Sequence, residues 1–456
     1  MSELPTGWRM TTTDALLEFV TSGSRGWARY YSHDGALFIR VGNLQRGSIS
    51  PDLKDIQHVS PPSGAEGVRT GVISNDILIS ITADLGRVAL MTDIRESTYI
   101  NQHIALARPG PGVSPRYLAW YLTSDAVQKQ WMRQQHGATK LGLGLRDIRS
   151  IDTPLPPLAE QERIVAAIEE QFSRVDAGAA ALDRIRQKLK RMRDAIRFAA
   201  TRGQLVSQDP SDEPAASLIE RVKPTGRFRG DASLPPDLGP IPSGWSWALM
   251  GRLALRVTVG HVGPMKNEYI SQGIPFLRSQ NVREDRFDSR GLLFVSPSFH
   301  ERLTKSRLMP GDLVIVRSGN VGTACVVPDS LGEANCADLV IVQGPEAIDG
   351  RYAALYMNSL ARSRVRAGRV GVALTHFNTQ SVAELPVPVP PLAEQKRIVA
   401  EAQRLMSVVD SIEAVVMDAM HSSTGLRSAI LTAAFSGRLV PQDLADEPDL
   451  LYSNAL

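Results

Sequence analysis

The chain has 456 residues, 43% hydrophobic and 22% charged, an ordinary globular composition with room for roughly two to four domains. Its formal charge of +3 is far from a histone-like excess, so charge alone does not announce a nucleic-acid binder. Two cysteines, Cys325 and Cys336, are too few for a disulfide framework or a Cys-rich zinc site, and no apolar run reaches the roughly 18 residues of a membrane span.

Met1-Ser-Glu-Leu-Pro opens with neither a basic nor an apolar leader region, so the expectation is a cytoplasmic chain held by packing, with no membrane span and no structural metal. Next along the chain stand Leu4-Pro-Thr-Gly-Trp8 and the cluster Arg40-Val-Gly-Asn43. Gly71-Val-Ile-Ser-Asn-Asp-Ile-Leu-Ile-Ser80 pairs a turn signal with a β-branched run, which predicts a strand, and Thr82-Ala-Asp-Leu-Gly-Arg87 a glycine-containing loop after it. Trp120–Trp131 reads as a helix.

From Pro154, Pro156 and Pro157 the pattern changes to a long helix. Proline suits its first turn and Glu160 its positive end; Gly203 suits its stop. A heptad runs through Ile168, Val175, Leu182, Leu189 and Ile196, with Ile164, Ile185 and Met192 at the other core position. At 1.5 Å per residue such a helix of about 44 residues is about 65 Å long. Residues 207–240, rich in proline, read as a connector.

The chain then repeats itself. Pro157-Leu-Ala-Glu-Gln-Glu-Arg-Ile-Val-Ala166 recurs as Pro391-Leu-Ala-Glu-Gln-Lys-Arg-Ile-Val-Ala400, nine identities in ten positions at an offset of 234. Gly437, Gln442-Asp443 and Glu447-Pro448 answer Gly203, Gln208-Asp209 and Glu213-Pro214 at the same offset. Upstream, Ile241-Pro-Ser-Gly-Trp245 answers Leu4–Trp8, Arg278-Ser-Gln-Asn281 answers Arg40–Asn43, and Gly311-Asp-Leu-Val-Ile-Val-Arg317 predicts the matching strand. Ser318-Gly-Asn-Val-Gly322 follows as its loop, better suited to a strand-to-strand turn than to a phosphate cradle, and Tyr352–Leu360 reads as a helix. The second long helix carries Ile398, Leu405, Ile412 and Leu426 beside Val409, Val416 and Ile430. A period above 200 residues is too long for a solenoid and indicates a duplicated domain pair. The expected divisions are 1–153, 154–206, 207–240, 241–387, 388–442 and 443–456: two α+β domains, each followed by a long helix, the helices packing together, and a tail.

A catalytic constellation is missing. There is no phosphate-loop, H-E-x-x-H, G-x-S-x-G or dinucleotide fingerprint, no Asn-Pro-Pro or Asp-Pro-Pro followed by an aromatic, and the eight histidines have no ligand spacing. No catalytic or metal residue is therefore assigned. Arg, Asn and Gln read base edges and Lys and Arg hold phosphates. The candidates for DNA contact are Arg40, Asn43, Arg87 and Lys140 in the first domain, and Arg278, Gln280, Asn281, Arg317, Asn320, Arg369 and His376 in the second. The basic run Arg184, Arg186, Lys188, Lys190, Arg191 and Arg193 reads either as a solvated helix face or as a phosphate track. Residues 1–150 hold 16 Lys/Arg against 13 Asp/Glu and 241–389 hold 16 against 12, whereas 390–456 hold 5 against 9.

Two divergent blocks, each opening L/I-P-x-G-W, each holding a G/N-D-I/L strand and each closing P-L-P-P-L-A-E-Q-x-R-I-V-A or its near copy, resemble the specificity subunit of a type I restriction-modification system over nearly the whole chain. The resemblance implies two target recognition domains, each reading half of a bipartite double-stranded DNA site, spaced by an antiparallel coiled coil. Ile164, Ile168, Val175, Leu182 and Leu189 would form its seam with Ile398, Leu405, Val409, Ile412 and Leu426. It further implies two methyltransferase subunits carrying S-adenosylmethionine and restriction subunits using ATP and Mg, with no cofactor on this chain. Arg317-Ser-Gly-Asn-Val-Gly322 matches the family's R-x-G-x-x-G loop, from which Thr82–Arg87 departs. A coiled-coil assembly protein without sequence-specific DNA binding and a self-sufficient methyltransferase are the alternatives.

Overall fold

The computed structural model describes residues 4–23, 25–61, 64–134, 142–225, 232–265, 267–367, 378–443 and 445–446. It divides into two compact units, Met1–Asp183 with Met417–Leu456, and Arg184–Val416. Each therefore contains one α+β domain with part of both long helices, Leu158–Ala200 and Leu392–Ala434.

In the first unit Ile104–Pro109 lies antiparallel between Leu17–Ser22 and Ile77–Ser80, and Val88–Leu90 completes a four-stranded sheet. A five-stranded sheet runs Tyr31–Ser32, Gln57–Val59, Ala36–Ile39, Thr98–Ile100, Gly71–Val72, with one parallel pair, Ala36–Ile39 on Thr98–Ile100. The second unit repeats both sheets in the same order. The first is Ala254–Val259, Leu339–Pro345, Leu313–Val316, Ala324–Val326, and the second is Tyr269–Ile270, Leu293–Val295, Ile274–Leu277, Ala334–Cys336, Arg307–Leu308. The wholly buried runs Ile77–Ser80 and Leu313–Val316 explain why β-branched residues fill them.

The expected strand Gly71–Ser80 is in fact two strands in two sheets, broken by a turn at Ile73–Asn75. The buried Asp76 carboxylate accepts the Ile73 N–H at 2.8 Å and Asn75 takes φ +72°; Asp312 accepts the Met309 N–H at 2.9 Å in the second copy. The aspartate of the G/N-D-I/L motif thus closes a turn. The helix expected over Trp120–Trp131 is likewise divided, into Pro115–Thr123 and Asp125–Gln134, because Ser124 is extended and its carbonyl starts the second helix. The second copy keeps a single helix, Gly350–Ala367.

The duplicated motifs touch. The Trp245 indole Nε1–H donates to the buried Glu394 carboxylate at 3.0 Å, and Gly7 and Gly244 approach Pro157 and Pro391. The next residue makes three bonds in each copy. Gln161 accepts the Ser114 N–H at 2.7 Å and donates to Pro156 and Gly112 carbonyls; Gln395 accepts the Asp349 N–H at 2.6 Å and donates to Pro390 and Ala347 carbonyls. Burial pushes the Glu160 and Glu394 carboxyls above the ordinary range. Both helices stop at a left-handed glycine, Gly203 (φ +67°) and Gly437 (φ +69°), whose following N–H reaches the carbonyl five residues back. The segment 207–240 contains a short helix, Ala215–Arg221, with Leu218 buried.

Within each unit the two long helices run in opposite directions. In the first, Arg427 pairs with Asp176 and stacks on Phe172, while Arg163 pairs with Asp446 beyond the end of the second helix. In the second, Arg193 pairs with Asp410 and Glu413, while Arg397 pairs with Asp212 beyond the end of the first. Both pairings recur at the 234 offset. Of the expected seam, Ile164, Ile168, Leu189, Ile398 and Val409 are buried and Val175, Leu182 and Leu405 half-buried. Ile412 and Leu426 are instead 42% and 52% exposed. At the level of Ile412 the contact is ionic, made by Asp410 and Glu413 on Arg193. Val409→Asp should therefore strand a charge in the core at about 3 kcal/mol or more, while Ile412→Asp should stay within about 0.5 kcal/mol of the parent; urea unfolding of the two variants checks the difference.

Candidate DNA interface

Each unit builds the same pair of turns side by side. The first follows the strand of the parallel pair. After Ala36–Ile39 the chain turns through Val41–Asn43, and after Ile274–Leu277 through Ser279–Asn281. The asparagine that ends each turn is buried. Asn43 Oδ1 accepts the Arg40 N–H at 2.9 Å and its amide donates to the Asp52 and Asp55 carbonyls at 2.8 and 3.1 Å. Asn281 does the same with the Arg278 N–H at 3.1 Å and the Asp288 and Arg290 carbonyls at 2.9 and 3.4 Å. Both amide hydrogens are spent on backbone, so Asn43 and Asn281 hold the turn and are not free to read an adenine edge, a correction to the sequence expectation.

The second turn is a hairpin between buried strands. Val316 N–H bonds Thr323 O and Gly322 N–H bonds Val316 O, both at 2.9 Å; Ser80 and Arg87, Gly86 and Ser80 make the same two bonds at 2.9 and 3.0 Å. Gly319 and Gly322 take φ +79° and +87°, and Ala83 and Gly86 take +64° and +76°. Thr82–Arg87 thus departs from R-x-G-x-x-G in sequence and keeps its backbone, with alanine accepting the left-handed conformation. Sequence comparison missed this because Ile81 stands where Arg317 does.

The turns differ in what they present. In the first unit Asp84 pairs with Arg46 and Arg87, Arg87 also donates to the Leu44 carbonyl at 2.8 Å, and Arg40 lies 3.8 Å from Asp55. The two guanidiniums, Arg46 first, hold the Asp84 carboxyl below its ordinary value of 3.8. In the second unit Arg278 and Gln280 both donate to the Gly291 carbonyl at 3.1 Å, and Arg278 lies 6.0 Å over the Tyr269 ring. Arg317 lies 3.4 Å from Asp338, and Asn320 and Gln280 are exposed. Lys140, Arg369 and His376 lie outside the described residues. Arg186, Lys188, Lys190 and Arg191 are exposed along the first long helix, while burial raises the Cys325 thiol to about 12, a packed side chain and not a nucleophile.

A duplicated α/β domain whose copies share one pair of turns on one backbone, each docked on the start of a long helix, is a tandem recognition architecture. The chain belongs to the type I restriction modification DNA specificity domain family, whose model matches residues 71–188 and 262–414. It is 24% identical over 428 residues to the type I restriction enzyme EcoBI specificity subunit of Escherichia coli, covering 92% of this chain and 83% of that one. To the EcoKI specificity subunit of Escherichia coli strain K12 it is 25% identical over 476 residues, covering 98% and 93%. A solved chain from work on complex assembly and conformational transition of the type I R-M system has the same fold, with a TM-score of 0.71 at 19% identity, covering 96% of this chain and 100% of that one.

Two outcomes follow. Asn281→Ala should leave three backbone partners of the turn without their bonds and destabilise its unit by about 1–3 kcal/mol, whereas Gln280→Ala and Asn320→Ala should leave stability within about 0.5 kcal/mol and act on DNA binding alone; thermal unfolding beside duplex binding separates them. The Asp84 pairing should be complete above pH 4 and be lost as pH falls through the lowered value, since a depressed carboxylate stabilises the fold only while ionised. Carboxyl NMR titration should find Asp84 below 3.8, rising toward it in Arg87→Gln.

Proposed function

We propose that this chain is the DNA-reading subunit of a type I restriction-modification complex, each unit's paired turns reading one half of a bipartite double-stranded target. The observation that carries this reading is one backbone with two sets of side chains: Ile81, Asp84 and Gly42 in the first unit stand where Arg317, Asn320 and Gln280 stand in the second. Equal frames with unequal side chains suit an asymmetric split site, as paired half-site readers require. Arg40, Arg87, Arg278 and Arg317 supply cations at the turns, and the exposed Gln280 and Asn320 supply base-edge groups. The long helices act as an antiparallel coiled-coil spacer between residues 154–206 and 388–442.

The chain itself is non-catalytic in this reading. Two methyltransferase subunits carry S-adenosylmethionine and the adenine-methylating site, and restriction subunits using ATP and Mg join them. Val408, Ile412 and Val415, spaced four and three residues apart and 46%, 42% and 70% exposed, give the second long helix an apolar stripe suited to a docking helix of a methyltransferase subunit. The complex works in the cytoplasm; among the described residues no helix is long and apolar enough to cross a membrane.

The test is methylome sequencing of cells expressing this chain with its cognate methyltransferase subunit, against cells lacking the chain. A new N6-methyladenine pattern at a split, asymmetric motif is expected. An assembled complex that leaves no new motif would establish a scaffold that does not read sequence.

A further inference from the structure

The second unit contains a buried polar network that the duplication does not explain. Arg197, on the first long helix, is 3% exposed. Its Nε donates to Asp285 at 2.7 Å and its Nη2 to Glu284 at 2.9 Å, with Asp194 at 3.5 Å. Asp285 sits four residues after the Asn281 clamp, in the left-handed region at φ +63°. Its other oxygen accepts the Asn358 amide at 2.6 Å, and its N–H bonds the Ala324 carbonyl at 3.1 Å. The wholly buried Asn358 then grips Ala324 at both backbone groups, accepting its N–H at 2.9 Å and donating to its carbonyl at 3.0 Å. Ala324 is the first strand residue after the Arg317–Gly322 turn.

One guanidinium is thereby tied to both turns, the Asn281 turn through Asp285 and the glycine turn through Asn358. Building on the function proposed above, we infer that Arg197 is the positioning residue that sets the second domain's two reading turns against the spacer helix, and so governs the accuracy of the half-site that domain reads. The first unit reaches the same end by other means. Gly47, four residues after Asn43 and also left-handed at φ +72°, has its carbonyl held by Arg427 at 2.6 Å. At the position of Arg197 it carries Leu431, 7% exposed and packed in the cluster that includes Ile49. At this position the second unit thus relies on a buried guanidinium and its carboxylates, a pairing that tolerates the loss of a partner poorly and fixes geometry when all are paired.

The experiment uses the full chain assembled with its cognate methyltransferase subunits and reads the methylated motif together with binding to duplexes varied base by base. Gln280→Ala, on the second domain's own turn, identifies that domain's half-site. Arg197→Met should blur that half-site alone, lowering discrimination there by about tenfold out of the roughly ten- to hundredfold that each base pair ordinarily carries, with the other half-site and assembly unchanged. Arg197→Lys should recover part of the loss. If Arg197→Met does not assemble, Asp285→Asn, which keeps the shape and removes the charge, decides by the same criterion. Variants that read both half-sites as sharply as the parent, or blur both equally, would overturn the inference. A parent complex with no split motif would instead defeat the function proposed above.

Discussion

Two buried glutamine side chains, Gln161 and Gln395, are the constraint on which the rest of each unit depends. Each joins the first turn of a long helix to the backbone that leads into a recognition-domain helix, with every bonding group of the amide used. A helix start has unpaired N–H groups and a positive end, and here a buried carboxylate and a tryptophan occupy it as well. With so many directional bonds in so small a volume, the recognition domain cannot rotate on the helix, and the turns it carries inherit the helix direction.

Much of this was legible in the sequence because duplication exposes what packing demands. The offset of 234 picked out the helix starts and the terminating glycines, and an offset of 237 the tryptophan motif, and every one of these proved to be a contact. What repetition could not reveal was direction. Asn43 and Asn281 repeat equally well whether their amides face a base or their own backbone, and only the closed turn showed the second. Ile412 and Leu426 keep the heptad, yet the contact beside Ile412 is made by ions flanking the apolar line. Ser124 broke a helix through its own backbone angles, where the apolar pattern runs on undisturbed.

The differences between the copies were harder still to see. Comparing repeats discards positions that disagree, so Arg197 was passed over because Leu431 answers it, and Thr82–Arg87 looked irregular because Ile81 answers Arg317. In both cases the backbone is shared and the chemistry is not. The fold therefore lives in the matched positions, and the individuality of each domain lives in the mismatched ones.

The division of the chain also bears on the order in which it is made. The second unit is one continuous stretch, Arg184–Val416, whereas the first joins Met1–Asp183 to Met417–Leu456. On a ribosome adding roughly 5–20 residues per second, the first recognition domain waits on the order of ten seconds or more for the helix carrying Arg427 and for the Asp446 that pairs with Arg163. The second unit has all its parts by then. The domain synthesised first is thus completed last, and in the interval the apolar cluster that Ile164, Ile168 and Phe172 join lacks its Leu431 and Ala434, which leaves apolar surface of the nascent chain uncovered until the second long helix arrives.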